Sequence, residues 1–212
     1  ELTGEMGTVV TYTGGQSLFK RTLAHLEEAL AESGYCGYIN LNMIVNEAHI
    51  WPLEFTSRFG YPGFAICSAL HRQSWATIFK TMLDVDSTTL ETAPGFATGV
   101  VLTVPPFPYA YGYEQLAKGM PVLFHPDISD AERQRVFLAE VEKVGDYLVT
   151  SGVSGYICVA TGTGLTVQQA NASAYALAGK VIVPNVRYRN DIGQRLANGE
   201  LKLLQKWGYI DA

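Results

Sequence analysis

The chain has little charge, few cysteines and no run of apolar residues long enough to span a bilayer, and each shortage removes a class of function. Charged residues make up 17% of its 212 positions, with a net charge of −5 and no basic stripe or block of one sign. That balance argues against nucleic acid as a partner, because phosphate backbones are bound by clustered lysine and arginine. The three cysteines, Cys36, Cys67 and Cys158, are odd in number and lack C-x-x-C spacing, which disfavours a disulfide framework and a zinc site. They read as inert, mostly buried thiols in a reducing cytoplasm. His25, His49, His71 and His125 stand at no metal-ligand spacing from one another or from a cysteine. No apolar run approaches the about 20 residues of a membrane span, and no internal repeat or low-complexity tract is present. Gly162-Thr163-Gly164 precedes a helix but lacks the full Walker or Rossmann spacing. No Met and no leader opens the chain, so it is expected to be a piece of a longer protein, without a membrane partner.

What the chain does have is concentrated between Gly37 and Gly63. Residues 38–45 alternate strictly, with Ile39, Leu41, Met43 and Val45 on one side and Asn40 and Asn42 on the other. Asn46-Glu47-Ala48 reads as a short hairpin loop, followed by a strand running to Phe55. Pairing Val45 with His49 sets Leu41 opposite Leu53, Met43 opposite Trp51 and Asn40 opposite Glu54; a one-residue slip would mix the faces. The hairpin is then expected to bury one face in the core and to display Asn40, Asn42, Glu54 and Thr56 on the other. A carboxylate two residues from a hydroxyl and four from Arg58, on a rigid strand, suits holding a metal-bound phosphate. An ordinary exposed strand with a surface glutamate accounts for the same spacing.

Three segments carry a resemblance. Thr3-Gly4-Glu5-Met6-Gly7 resembles a Thr-Gly-Gly-Met-Gly loop, and Glu54-Phe55-Thr56-Ser57-Arg58-Phe59-Gly60 resembles a Glu-Phe-Asn-x-Arg-Phe-Gly strand. Tyr188-Arg189-Asn190-Asp191-Ile192-Gly193-Gln194-Arg195 resembles a Tyr-Arg-x-Asp-Ile-Gly-x-Arg segment. In this order they resemble the C-terminal portion of an ATP-grasp ligase of the phosphoribosylamine–glycine ligase (glycinamide ribonucleotide synthetase) family. The resemblance implies a carboxylate–amine ligation in which ATP phosphorylates an acid and an amine displaces phosphate; in the family these are glycine and phosphoribosylamine, at an early step of purine synthesis. It implies ATP and Mg2+ as cofactors, with Mn2+ as the alternative ion. Glu54 and Thr56 would hold the metal, Arg58 would be both the catalytic and a cofactor-binding cation, and Thr3, Gly4 and Gly7 would line the nucleotide and substrate cleft. The implied partners are a small-molecule acid, an amine and the N-terminal half of the same protein, without which this piece is expected to be inactive. A cytoplasmic location is implied, and a homo-oligomer is compatible.

Departures from the family pattern open two further readings. Thr56 replaces an asparagine, and Gly60-Tyr61-Pro62-Gly63 replaces Gly-Asp-Pro-Glu, losing both acids. The parent then either ligates a different acid and amine or carries a degenerate, non-catalytic binding module. Arg187, Arg189 and Arg195 form a basic cluster suited to a phosphate, while Asp191 among them equally suits a structural ion-pair network.

The expected fold class is α+β: the second half of an ATP-grasp fold over residues 1–90, an antiparallel sheet with helices, then a small antiparallel β domain with a packed helix over residues 91–212. Gln16 to Ser33 reads as one amphipathic helix with Phe19, Leu23, Leu26 and Leu30 in a stripe and Gly34 as its stop. Phe64 to Leu83 reads as helix broken near Gln73-Ser74, and Asp84 to Gly95 as the turn-rich junction. Ala97 to Val104 predicts a buried strand stopped by Pro105-Pro106-Phe107-Pro108. Ser129-Asp130-Ala131-Glu132 has capping-box spacing. Val136 to Val141 and Tyr147 to Thr150 read as strands around Gly145-Asp146, with a helix over 131–144 as the alternative. Tyr156 to Ala160 reads as a strand, Thr166 to Ala178 as a capped helix closed by Gly179, and Val181 to Val183 as a last strand.

Overall fold

The computed structural model describes residues 3–84, 90–109 and 111–211. Residues 85–89, inside the junction expected at Asp84 to Gly95, lie outside the described residues. The chain opens with β1 (Gly7–Val10), α1 (Gln16–Lys20), a 3-10 turn (Leu23–Leu26) and α2 (Glu27–Glu32). The single helix expected from Gln16 to Ser33 is thus broken. Thr22 leaves helical geometry at φ −136° and ψ −92°, and its hydroxyl donates to the Leu18 carbonyl at 2.7 Å. That bond offers the backbone an alternative to the helical ladder. Gly34 does end the segment, at φ +67°, where a side chain would be strained.

The hairpin follows as β2 (Asn40–Val45) and β3 (Ile50–Thr56), then α3 (Gly63–Ser68) and α4 (Trp75–Leu83). The predicted helix break near Gln73-Ser74 is present: Ser74 caps α4 by accepting the Thr77 amide at 3.1 Å. Next come β4 (Phe96–Thr103), α5 (Tyr113–Leu116), β5 (Leu123–Phe124), α6 (Asp130–Arg133), β6 (Val136–Leu138), β7 (Val141–Val144) and β8 (Tyr147–Thr150). The chain closes with β9 (Tyr156–Gly164), α7 (Val167–Ala178), β10 (Val181–Ile182) and α8 (Leu201–Lys206). Both predicted capping boxes, at Ser129 and at Thr166, are made. The strand expected over Val136 to Val141 divides into β6 and β7, which serve different sheets.

The main sheet has the order β1-β4-β9-β6, all antiparallel. β4 comes near the middle and is buried on both faces, which explains why Val100, Val101 and Leu102 follow one another without polar alternation. Val100, Leu102, Cys158 and Ala160 join Ala174 and Leu177 of α7 in one core cluster. The intervening Val101 and Val159 join Met6, Ala65, Ile66 and Leu70, so α3 covers the opposite face. Missing side chains permit both contacts. A Cβ at Gly99 would stand 2.2 Å from Ile66 Cγ1, and one at Gly162 2.2 Å from the Ala174 nitrogen. Gly162 and Gly164 therefore serve helix-to-strand packing, and the strand runs through both of them.

Because β1 pairs with β4, the first motif and the C-terminal part of the chain share one sheet. The hairpin stands outside it as a separate two-stranded sheet. Its expected core face is not in the core: Leu53 is 60% and Phe55 54% exposed. The reason is that α3 spends its apolar side on the main sheet rather than on the hairpin. Tyr209, 1% exposed, ties the hairpin loop to the C-terminus by donating its hydroxyl to the Asn46 carbonyl at 2.7 Å. Among the described residues no helix is long and apolar enough to cross a membrane.

Local chemistry sets a pH dependence and an order of thiol reactivity. Lys180 meets Glu132 at 2.7 Å, and together with the Ser129 cap this holds the Glu132 carboxyl down at about 2 from an ordinary 4.5. A depressed carboxyl contributes stability above its unfolded pKa, and that contribution is lost as pH falls towards the folded value. Urea midpoints of the native protein are therefore expected to drop more steeply below about pH 4.5 than those of Glu132→Gln. The thiols also differ: Cys36 is exposed, Cys67 half-buried and Cys158 buried, so the expectation of mostly buried thiols fails for Cys36. Burial pushes the Cys158 thiol up to about 12. Iodoacetamide at pH 8 is expected to label Cys36 first and Cys158 only after unfolding, as read by peptide mass mapping.

Candidate functional site

The hairpin builds the polar face that its alternation requires, in a register that differs from the expected one. Val45 pairs with Ile50, Ile44 with Trp51 and Met43 with Pro52, so four residues rather than three form the loop. A bulge between Asn42 and Met43 then shifts the ladder once more, pairing Asn42 with Glu54, Leu41 with Phe55 and Asn40 with Thr56. The two shifts together amount to two residues, which restores parity. Asn40, Asn42, Glu54 and Thr56 therefore still share a face, with Asn42 rather than Asn40 opposite the carboxylate.

That face carries a hydrogen-bonded row. Asn40 Nδ2 donates to Asn42 Oδ1 at 2.8 Å, and Asn42 Nδ2 donates to Glu54 Oε1 at 2.9 Å. The row orients one carboxylate oxygen and leaves the other without a hydrogen-bond partner among the described residues. Among the described residues Glu54 makes no ion pair, and Arg58 makes none either; Arg58 Nη1 donates only to the Phe59 carbonyl at 3.2 Å. Both charged groups are exposed, so both are available to a ligand. Among the described residues no cluster of three or more acidic, histidine or cysteine side chains could hold a metal unaided. One free carboxylate oxygen with a neutral hydroxyl at Thr56 does fit Mg2+, which commonly takes one or two carboxylates and fills its remaining positions with water and phosphate oxygens.

The first motif lies between the other two. A Cβ at Gly4 would stand 3.4 Å from the Tyr156 hydroxyl, and the Tyr156 ring packs edge-on against Tyr61 at 5.2 Å. Thr3 and Gly4 are exposed, and Tyr156 links Gly4 to Tyr61 in the turn that follows Arg58. Met6 is buried against α3 and β4. Gly7 has a structural role. At φ +143° its missing Cβ leaves room for the Gly99 carbonyl, which a Cβ would meet at 2.4 Å, and for Ile192. Gly7 also borders a recess formed with Arg189, Asp191, Gly193 and Arg195, so the first and third motifs meet there.

The basic cluster is largely paired. Arg189 grips Asp191 in a two-point contact at 2.8 and 2.6 Å, which holds the Asp191 carboxyl below its usual value. Arg195 meets Glu200 at 2.6 Å. Arg187 instead joins the main sheet through its backbone, exchanging hydrogen bonds with Thr103. The ion-pair reading fits Arg189 and Arg195 in this arrangement. One residue of the site region escapes sequence reasoning: Tyr156 reads only as part of a strand, although it links Gly4 to Tyr61.

No protein-family model matches the chain. It is 30% identical over 205 residues to phosphoribosylamine–glycine ligase of Rhizobium meliloti, covering 91% of this chain and 46% of that protein. The enzyme of that name from Vibrio vulnificus strain YJ016 is 29% identical over 76% of this chain and 36% of its own length. The chain thus spans less than half the length of the curated relatives it matches. In fold it matches the crystal structure of phosphoribosylamine–glycine ligase from Thermotoga maritima, with a TM-score of 0.66 and 24% identity over 88% of this chain and 46% of that one. The mixed helix and antiparallel-sheet architecture expected of an ATP-grasp ligase is therefore present. In both sequence and fold, the chain resembles the C-terminal portion of phosphoribosylamine–glycine ligase.

Proposed function

We propose that this chain is part of an ATP-grasp ligase that joins a carboxylate to an amine through an acyl phosphate, and that its hairpin supplies the phosphate-facing charges. The observation that carries this reading is the Asn40–Asn42–Glu54 row, which fixes a lone carboxylate on a rigid strand four residues before an unpaired arginine. Such a pair suits phosphoryl transfer, where catalysis consists mainly of positioning and charge neutralisation. Glu54, with Thr56 beside it, would hold Mg2+. When bound, that ion would neutralise charge on the nucleotide phosphates.

The remaining roles belong to the chain itself. Arg58 presents a flat, permanently charged fork that can take two phosphate or carboxylate oxygens at once. Asn42 keeps the Glu54 carboxylate oriented while it carries charge. Thr3 and Gly4 offer backbone amides beside Tyr61 and Tyr156 without side-chain bulk at Gly4. The exposed Leu53 and Phe55 would pack against the remainder of the protein, which supplies the other half of the nucleotide site. Calorimetric titration of MgATP into this chain and into the full-length protein tests the reading. Binding by the full-length protein, abolished by EDTA, supports it; no magnesium-dependent binding by either overturns it and leaves the chain a non-catalytic module.

A further inference from the structure

Beside the hairpin site lies a recess with a cavity volume of about 500 Å³. Part of its wall is a continuous series of rings, each of which borders the recess. Tyr38 packs on Phe59 at 4.7 Å, and Phe59 meets Phe64 and Trp75 edge-on at 5.5 and 5.1 Å. Phe64 stacks on Trp75 at 4.0 Å, and Trp75 meets His71 edge-on at 4.7 Å. Tyr12 ends the series, its Oη 2.7 Å from His71 Nε2. A pocket of this size, apolar with a few polar groups, is the usual form of a small-molecule site.

The segment from α1 through α2 supplies another part of the wall, and with it the charge. Phe19, Leu23 and Leu30 border the recess from that segment, and Glu27 borders it between the two leucines, where an apolar residue would complete the row. Glu27 is exposed, and among the described residues its carboxylate makes no ion pair and no hydrogen bond. No lysine or arginine among the described residues borders the recess, so Glu27 is the one formal charge of that lining. Burial lowers the His71 pKa from its ordinary 6.5, so the imidazole is neutral at pH 7 and adds no positive charge. Aromatic rings attract a cation through their quadrupoles, and a free carboxylate attracts it directly. A metal ion does not fit, because it needs several oxygen or nitrogen ligands together, and no such group is present among the described residues. An organic cation does fit, since its alkyl groups fill the apolar walls while its charge meets the rings and the carboxylate.

We propose that the recess binds a small organic cation of the quaternary-ammonium type, its methyl groups against Phe59, Phe64 and Trp75 and its charge shared between those rings and Glu27. A neutral ligand of the same shape would fill the walls equally well and leave Glu27 without a partner. The buried His71 Nδ1 has no hydrogen-bond partner among the described residues, and a hydroxyl on the ligand suits it in either tautomer, because a hydroxyl both donates and accepts. The inference does not rest on the ligase reading above, for it uses none of the residues assigned there to metal or nucleotide.

The test is calorimetric titration of the full-length protein with choline and with 3,3-dimethylbutan-1-ol, which share size, shape and a hydroxyl and differ in charge. Choline is expected to bind about tenfold more tightly than the alcohol, as desolvated contacts between a cation and aromatic rings provide. Glu27→Gln, at an exposed position where folding is undisturbed, is expected to weaken choline about fivefold, as loss of a solvent-exposed charge partner does, and to leave the alcohol unchanged. Phe59→Leu keeps an apolar wall and removes a ring; it is expected to weaken choline about threefold with little effect on the alcohol, its thermal midpoint being measured alongside. Glu27→Gln decides the charge whether or not Phe59→Leu folds. Equal binding of choline and the alcohol, no binding of choline, or an unaltered choline affinity in Glu27→Gln overturns the proposal. MgATP binding without choline binding removes this inference and keeps the ligase reading; choline binding without MgATP binding keeps the cation site and removes the ligase.

Discussion

Glu54→Gln, made in the full-length protein, is expected to lower kcat/KM for the ligation by about a hundredfold or more, with folding unchanged. The side chain is exposed and forms no ion pair among the described residues, so its neutralisation leaves no buried group unpaired. The amide keeps the shape and can still accept from Asn42, but it offers the metal no charge. Mg2+ dependence distinguishes this loss from a packing defect: the variant should need far more Mg2+ to reach half of its remaining rate, while its thermal midpoint stays within error of the native one. Arg58→Lys separates a second role. Lysine keeps the charge and loses the fork, so an effect confined to kcat would identify a contact made in the transition state. A Glu54→Gln enzyme with native Mg2+ dependence would rule out this glutamate as a ligand.

Gly162→Ala is expected to be the most damaging single-methyl change in the chain. The new Cβ would stand 2.2 Å from the Ala174 nitrogen, 2.6 Å from the Ser173 carbonyl carbon and 2.7 Å from the Ala170 oxygen. All three are backbone atoms of α7, so no side-chain rotation relieves the clash, and the helix must lift from β9. Overpacking of this kind costs about 3 kcal/mol or more. For a chain of this size that corresponds to a fall of roughly 6–12 °C in the melting midpoint. Gly179→Ala is the matched control. Its φ is −66°, and a Cβ there meets nothing closer than 3.6 Å. Alanine should leave stability unchanged or raise it by about 0.4–1 kcal/mol through the unfolded state. Equal melting midpoints for Gly162→Ala and native protein would mean that α7 does not sit this close to β9.

The two variants also separate what local sequence encodes from what it does not. The capping boxes at Ser129 and Thr166, the break before Trp75 and the Gly145-Asp146 turn are legible because each depends on contacts within about four residues. The faces of the hairpin are legible because alternation is a property of one strand. Its register is not. Register depends on loop length and on a bulge between Asn42 and Met43, and neither has a composition marker here. The break at Thr22 is hidden for a related reason, since an apolar stripe continues across it while the hydroxyl bonds back to Leu18.

The site divides along the same line. Glu54, Thr56 and Arg58 come from a contiguous motif, and the structure keeps Glu54 and Thr56 on one face. Tyr156, about 100 residues from Tyr61 in sequence, reaches it only because β9 crosses the sheet beside β4. The capped helices, the buried central strand, the polar face of the hairpin and the three motifs that carry the resemblance are legible in the chain alone, because periodicity and short-range hydrogen bonding are local. Long-range packing alone sets α3 on the main sheet, leaves the hairpin's apolar face exposed and places Asn42 against Glu54. Those outcomes depend on which surfaces meet across long chain separations, and that choice is made by side-chain volume at positions such as Gly99 and Gly162, where a missing methyl lets a helix approach.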